Sequence, residues 1–141
     1  MNILEAKKDG VLLREIEETL AVDAFTVLRP RLSEAQIKRA LPKGLSHAGK
    51  LYDFVFDFAT SDRLVCMEVI YRSYHGVGDI EFILSSMAGR NCLSAEGFLN
   101  QAISGMIFTK EVKPRRFWHV ALRPLSRFKL YSNPCTILQS F

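Results

Sequence analysis

Cysteine is scarce in this chain of 141 residues, with only Cys66, Cys92 and Cys135, none closely paired. An odd, scattered set supplies neither a disulfide framework nor a Cys-rich zinc module, so each thiol is read as a small buried hydrophobe. No apolar run nears the roughly 18 residues of a membrane span. Met1 to Gly10 carries charges where a signal peptide would need an apolar core, so the chain is expected in the cytoplasm, away from membranes. Repeats, low-complexity tracts and linker-like stretches are also missing, which predicts one domain over residues 1–141. Acidic residues thin out towards the end: beyond Glu96 only Glu111 faces Lys110, Lys113, Arg115, Arg116, Arg123, Arg127 and Lys129. The net charge of +4 therefore divides into −2 over residues 1–96 and +6 over residues 97–141.

What is present is apolar material in quantity. Hydrophobic residues make up 48% of the chain and include ten Phe, enough for a core and too much for a disordered chain. Leu12, Leu13, Ile16 and Leu20 fall at helical spacing, predicting an amphipathic helix over Val11 to Ala21. A strand is expected at Phe25 to Leu28. Ser33 with Gln36 three residues on has the capping-box pattern, opening a helix that Pro42 and Gly44 should stop near Leu41. Tyr52 to Ala59 and Leu64 to Tyr71 read as strands joined across Thr60 to Arg63, an antiparallel hairpin at about 51–71. In that pairing Phe54, Phe56 and Phe58 share one face with Val65, Met67 and Val69, and Asp53, Val55 and Asp57 share the other with Cys66, Glu68 and Ile70. Asp79 is expected to cap a helix over Ile80 to Ala88, broken by Gly89 and Asn91. Ser94 is expected to open another, with strands at Phe117 to Leu122 and Phe128 to Tyr131.

Asp53 and Glu68, diagonal on one hairpin face, could hold a hard divalent cation between carboxylate oxygens, and such an ion could activate water against a phosphodiester. The alternative is a solvated polar face on an amphipathic hairpin. An Asp starting one strand and a Glu on the next, after a helix-strand-helix lead-in, resembles the PD-(D/E)XK, or restriction-endonuclease-like, nuclease superfamily. Lys50, Asp53-Phe54-Val55, Glu68 and His75 are similar to the elements of an uncharacterised bacterial branch of it, and the resemblance spans about residues 20–90. It implies an α/β fold with a restriction-endonuclease-like central mixed sheet that contains the 51–71 hairpin and is flanked by helices. It also implies catalytic roles for Asp53, Glu68, His75 and Lys50, and a Mg²⁺ ion on Asp53 and Glu68 if the centre is active. Where the superfamily has a lysine two residues after the Glu, this chain has Ile70, which can neither ligate a metal nor move a proton. Lys50 or Lys38 would have to replace that lysine, with Glu17 or Glu18 as a further ligand.

From about residue 110 to 131 the cations alternate with Phe117, Trp118, His119, Phe128 and Tyr131. Lys110, Lys113, Arg115, Arg116, Arg123, Arg127 and Lys129 suit phosphates, and Trp118 suits base stacking, so this segment is the expected nucleic-acid surface. A strand pair with a basic solvated face would look the same. Three functions stay open: a degenerate, non-catalytic nuclease-like domain serving as a nucleic-acid-associated or assembly component, needing no cofactor; an active Mg²⁺-dependent nuclease using Asp53 and Glu68; and a protein-interaction module with no nucleic-acid partner.

Overall fold

The computed structural model describes residues 2–19, 27–103 and 108–111. It is a mixed α/β arrangement of helices and small sheets. Strands β1 (Asn2–Lys7) and β2 (Gly10–Glu15) form an antiparallel hairpin in which Lys7 faces Gly10 and Leu4 faces Leu13. The predicted helix over Val11 to Ala21 is thus a strand followed by a single turn, α1 (Ile16–Thr19). Ile3, Leu4, Ala6 and Val11 are buried, while Leu12 and Leu13 are exposed, so the helical spacing of the leucines carried no core face. The Asp9-Gly10 pair decides the turn. Gly10 lies at φ +112°, and a Cβ there would stand 2.8 Å from the Lys50 carbonyl oxygen. That closeness lets the Val11 amide donate to Lys50 O at 2.9 Å and the Gly49 amide donate to Val11 O at 2.7 Å.

Strand β3 (Val27–Pro30) pairs antiparallel with β8 (Phe108–Glu111), and the described residues 31–103 lie between them in sequence. Helix α2 (Glu34–Leu45) opens as predicted: the Gln36 amide donates to Ser33 Oγ and the Ser33 amide donates to Gln36 Oε1. It does not stop at Leu41. Pro42 lies inside it, and Gly44 is buried against helix α3 (Cys66–Tyr74), where a Cβ would meet Ser73 Oγ at 3.1 Å. Ala40 and Gly44, one turn apart and both buried, let the two helices approach closely, and this packing outweighs the breaking tendency of Pro42 and Gly44.

The predicted hairpin at 51–71 is replaced. Strands β4 (Leu51–Tyr52) and β5 (Arg63–Leu64) pair in parallel over two residues, and Cys66–Tyr74 is helix α3. Two local causes act. Asp53 accepts from the amides of Val55 and Asp57, and Asp57 accepts from Ala59, so a chain of Asx turns consumes the alternating Asp/Phe segment. Met67, Ile70 and Tyr74 then pack into one apolar cluster with Ala40, Val77, Ile80, Phe82, Leu93 and Phe98, while Val69 packs into another with Leu4, Ala6, Val11 and Leu64. A helix can serve both clusters at once; a strand would turn alternate side chains away. Phe54 and Phe56, assigned to the buried face, are 69% and 53% exposed.

The helix expected over Ile80 to Ala88 is likewise absent. Strands β6 (Ser85–Met87) and β7 (Arg90–Cys92) form a hairpin whose turn residues Ala88 and Gly89 both have positive φ, 51° and 79°. Ser94 does open helix α4 (Ala95–Ile103), accepting from the Gly97 amide. Among the described residues the strands join as four two-stranded sheets, with no single central sheet. The two strands expected beyond residue 116 lie outside the described residues.

Candidate functional site

The close crossing of α2 and α3 ends in a concavity of about 310 Å³, lined by Lys43, Ser46, His47, Tyr71, Arg72 and His75. Lys43, Ser46 and His47 are spaced i, i+3, i+4 at the end of α2, and Tyr71, Arg72 and His75 repeat that kind of spacing along α3, so each helix presents one face. His47 continues the row of Ala40 and Gly44 and is buried at 9% exposure. Among the described residues its Nδ1 has no hydrogen-bond partner. Burial holds the His47 imidazole below its ordinary pKa, with the charges of Lys50 and Arg72 pushing the same way.

Arg72 is the hub. Its Nε donates to Glu68 Oε1 at 2.7 Å, and its Nη2 donates to the carbonyls of Phe58 and Thr60, fastening the Asx-turn loop to α3. Glu68 is fully buried in the first turn of α3, and its Oε2 has no hydrogen-bond partner among the described residues. Burial raises the Glu68 pKa; Arg72 and the Val65 backbone pull it back, and the nearby charge of Asp53 adds to the rise.

His75 closes the far wall. Its ring stacks on Tyr71 with centroids 4.6 Å apart and an interplanar angle of 22°. The Phe82 amide donates to its Nδ1 at 3.1 Å, which leaves the proton of the neutral ring on Nε2, 3.3 Å from Glu81 Oε2.

The residues singled out from the sequence do not share a hairpin face. Asp53 and Glu68 interact electrically, Lys50 acts on His47, and His75 lines the concavity. Of the four carboxylate oxygens, both of Asp53 accept main-chain N–H groups and one of Glu68 holds Arg72. A magnesium ion between them would have to share three of the four oxygens with these donors, leaving only Glu68 Oε2 without one among the described residues. Among the described residues no three His, Cys, Asp or Glu side chains are placed to share a metal. Ile70, read as a missing lysine, is a core residue of α3. Lys38 pairs with Glu34 on the exposed side of α2, and Glu18 lies near Arg14. Lys43, Ser46, His47, Tyr71 and Arg72 went unnoticed, although the Glu68-Arg72-His75 spacing is that of one helical face. Of the basic segment, Lys110 belongs to β8; Lys113, Arg115, Arg116, Trp118, Arg123, Arg127 and Lys129 lie outside the described residues. Among those described, no helix is long and apolar enough to cross a membrane.

Comparison with protein-family models, with curated proteins and with solved structures finds no match to this chain.

Proposed function

We propose that this protein is a non-catalytic, nucleic-acid-associated component in which the carboxylate pair of a restriction-endonuclease-like centre has become structural. One observation carries the reading: Asp53 and Glu68 are turned onto protein groups, while cations line the open concavity beside them. Carboxylates spent on a loop and a guanidinium are poorly placed to take a metal, whereas an exposed basic surface attracts phosphates whatever their sequence. The basic segment from Lys110 to Lys129 supplies the larger share of that attraction in this reading.

Binding of labelled single- and double-stranded oligonucleotides, measured across a salt series, tests it. Affinity should fall steeply with salt and weaken when Arg115 and Arg116 are replaced by Gln. Incubation with linear DNA and RNA in Mg²⁺ or Mn²⁺ should leave both intact; metal-dependent cleavage abolished by Glu68→Gln would establish an active nuclease and overturn the reading.

A second reading, a protein-interaction module, draws on the exposed apolar run Phe54, Val55 and Phe56 beside Leu51. Exposed apolar side chains grouped in this way are a feature of protein contacts. Absence of oligonucleotide binding at low salt would favour it.

A further inference from the structure

We propose that the concavity between α2 and α3 is a phosphomonoester site that receives the terminal phosphate of a nucleic-acid strand, with Lys43, His47 and Arg72 as its anion-binding groups. The strand as carrier rests on the nucleic-acid reading above; the phosphate chemistry does not.

The donors differ in what they have left to give. Arg72 spends Nε on Glu68 and Nη2 on two carbonyls, and among the described residues its Nη1 is bonded to nothing. Lys43 is exposed at the rim. His47 is buried, with its Nδ1 unpartnered, a condition that a bound acceptor or donor relieves at either ring nitrogen by fixing the tautomer. The Tyr71 hydroxyl makes no hydrogen bond among the described residues and adds a fourth donor. Ser46 is not part of the set, since its hydroxyl proton goes to the Lys43 carbonyl. The remaining carbonyls at the end of α2 do not oppose an anion strongly, because Pro42 O and Gly44 O already accept from Ser46 and His47 amides.

Charge selects the ligand. A terminal phosphate carries about −1.5 to −2 at neutral pH and three acceptor oxygens, against the single charge of a backbone phosphodiester. Lys43 and Arg72 offer two permanent cations; Glu68 offsets part of Arg72, and Glu81 sits on the outer nitrogen of His75. A group of higher charge gains more here than one of lower charge. The concavity is open to solvent, so charge rather than enclosure makes the selection, and a volume of about 310 Å³ lies at the small end of ligand sites, roughly 300 to 1,000 Å³. At the mouth the stacked Tyr71 and His75 rings form an aromatic wall beside which the attached nucleoside would lie.

Anisotropy titrations of the full chain with one oligonucleotide bearing a 5′-phosphate, a 3′-phosphate or only hydroxyl ends provide the test. They are paired with NMR of the His47 ring during addition of glycerol phosphate. A phosphorylated end should bind about tenfold tighter than a hydroxyl end, the scale of one charge-assisted hydrogen bond. Lys43→Gln, exposed and harmless to folding, should remove most of that preference, and His47→Gln should do the same. The His47 resonances should move with glycerol phosphate and titrate at higher pH when it is bound. Equal affinity for phosphorylated and hydroxyl ends, with salt-dependent binding intact, overturns the strand-end site and leaves the nucleic-acid reading standing. No oligonucleotide binding, together with a His47 response to glycerol phosphate, retains the phosphomonoester site and removes the nucleic-acid reading. Silence in both assays removes both.

Discussion

Arg72 Nε and Glu68 Oε1 meet at 2.7 Å one turn apart on α3, joining a fully buried carboxylate to a guanidinium that also holds the carbonyls of Phe58 and Thr60. The pair is therefore the joint between α3 and the loop that follows β4. Removing the carboxylate leaves a cation with only carbonyl partners. Glu68→Ala should destabilise the fold by roughly 2–3 kcal/mol, less than the 3–5 of a fully buried pair because Arg72 keeps part of its side chain in water. Glu68→Gln, which preserves an acceptor for Nε, should lose less. Urea midpoints at constant m-value would check both.

The pH dependence should have two opposing parts. Burial raises the Glu68 pKa, so its contribution to stability is full below the ordinary value of 4.5 and is lost as pH rises through the raised folded value. His47 is depressed by burial, so its contribution is present above 6.5 and is lost as pH falls through the lowered folded value. Wild type compared with Glu68→Gln should therefore lose ground as pH rises, and wild type compared with His47→Gln should gain ground up to about 6.5. Urea midpoints from about pH 4 to 8 would reveal the two slopes, and the same sign for both variants would contradict the assignment.

Gly10→Ala should be among the more damaging single-methyl changes in the chain. It combines a φ of +112° that side chains rarely adopt with a Cβ 2.8 Å from a main-chain oxygen. A loss of about 2–4 kcal/mol is expected, the sum of a strained backbone and a broken Val11-to-Lys50 bond. Hydrogen exchange should show lost protection at the Val11 and Gly49 amides first.

The capping box on α2 is exposed and separable from the rest. Ser33→Ala removes the acceptor for the Gln36 amide and should cost about 1 kcal/mol. The thermal midpoint should fall with no change in oligonucleotide affinity.

Phe54 and Phe56 should be replaceable at small cost in stability. Both are exposed, and Phe56 sits at φ 56°, where Asn is better tolerated. Phe54→Ser with Phe56→Asn should lower the unfolding free energy by about 1 kcal/mol, because both rings meet Tyr52 edge-on, with centroids 5.0 and 6.5 Å away. Binding of an apolar fluorescent dye should drop, and so should the affinity for any protein partner that uses this loop.

How far the sequence reveals the molecule varies along the chain. The Ser33/Gln36 box and the Ser94 helix start were readable because a cap is a local hydrogen bond that a few residues specify. The segment from Leu64 to Tyr74 was not. Its first helical turn follows Val65, which offers no side-chain cap, and its β-branched residues favour a strand in isolation. Only the two apolar clusters on either side of it make the helix the better solution. Asp9-Gly10 did carry a hairpin signal, hidden by leucines that happen to fall at helical spacing. The site was half legible. Of the residues named from the sequence, His75 lines the concavity and Glu68 holds Arg72 beside it, but the roles of the two carboxylates depend on the amides of Val55 and Asp57 and on Arg72, which no pattern of spacing displays.

The contacts that hold α2 against α3 bear on how a ligand would be received. Gly44 of α2 abuts Ser73 of α3, and Gly78, in the loop after α3, lies so close to the start of α2 that a Cβ there would come within 2.6 Å of the Gln36 side-chain nitrogen. Two close approaches of this kind leave α2 little freedom to move away from α3 and the loop that follows it. The space between them is accordingly set before anything enters it, so little ordering entropy would be lost on occupation, and discrimination between ligands would show mainly in how fast each one leaves.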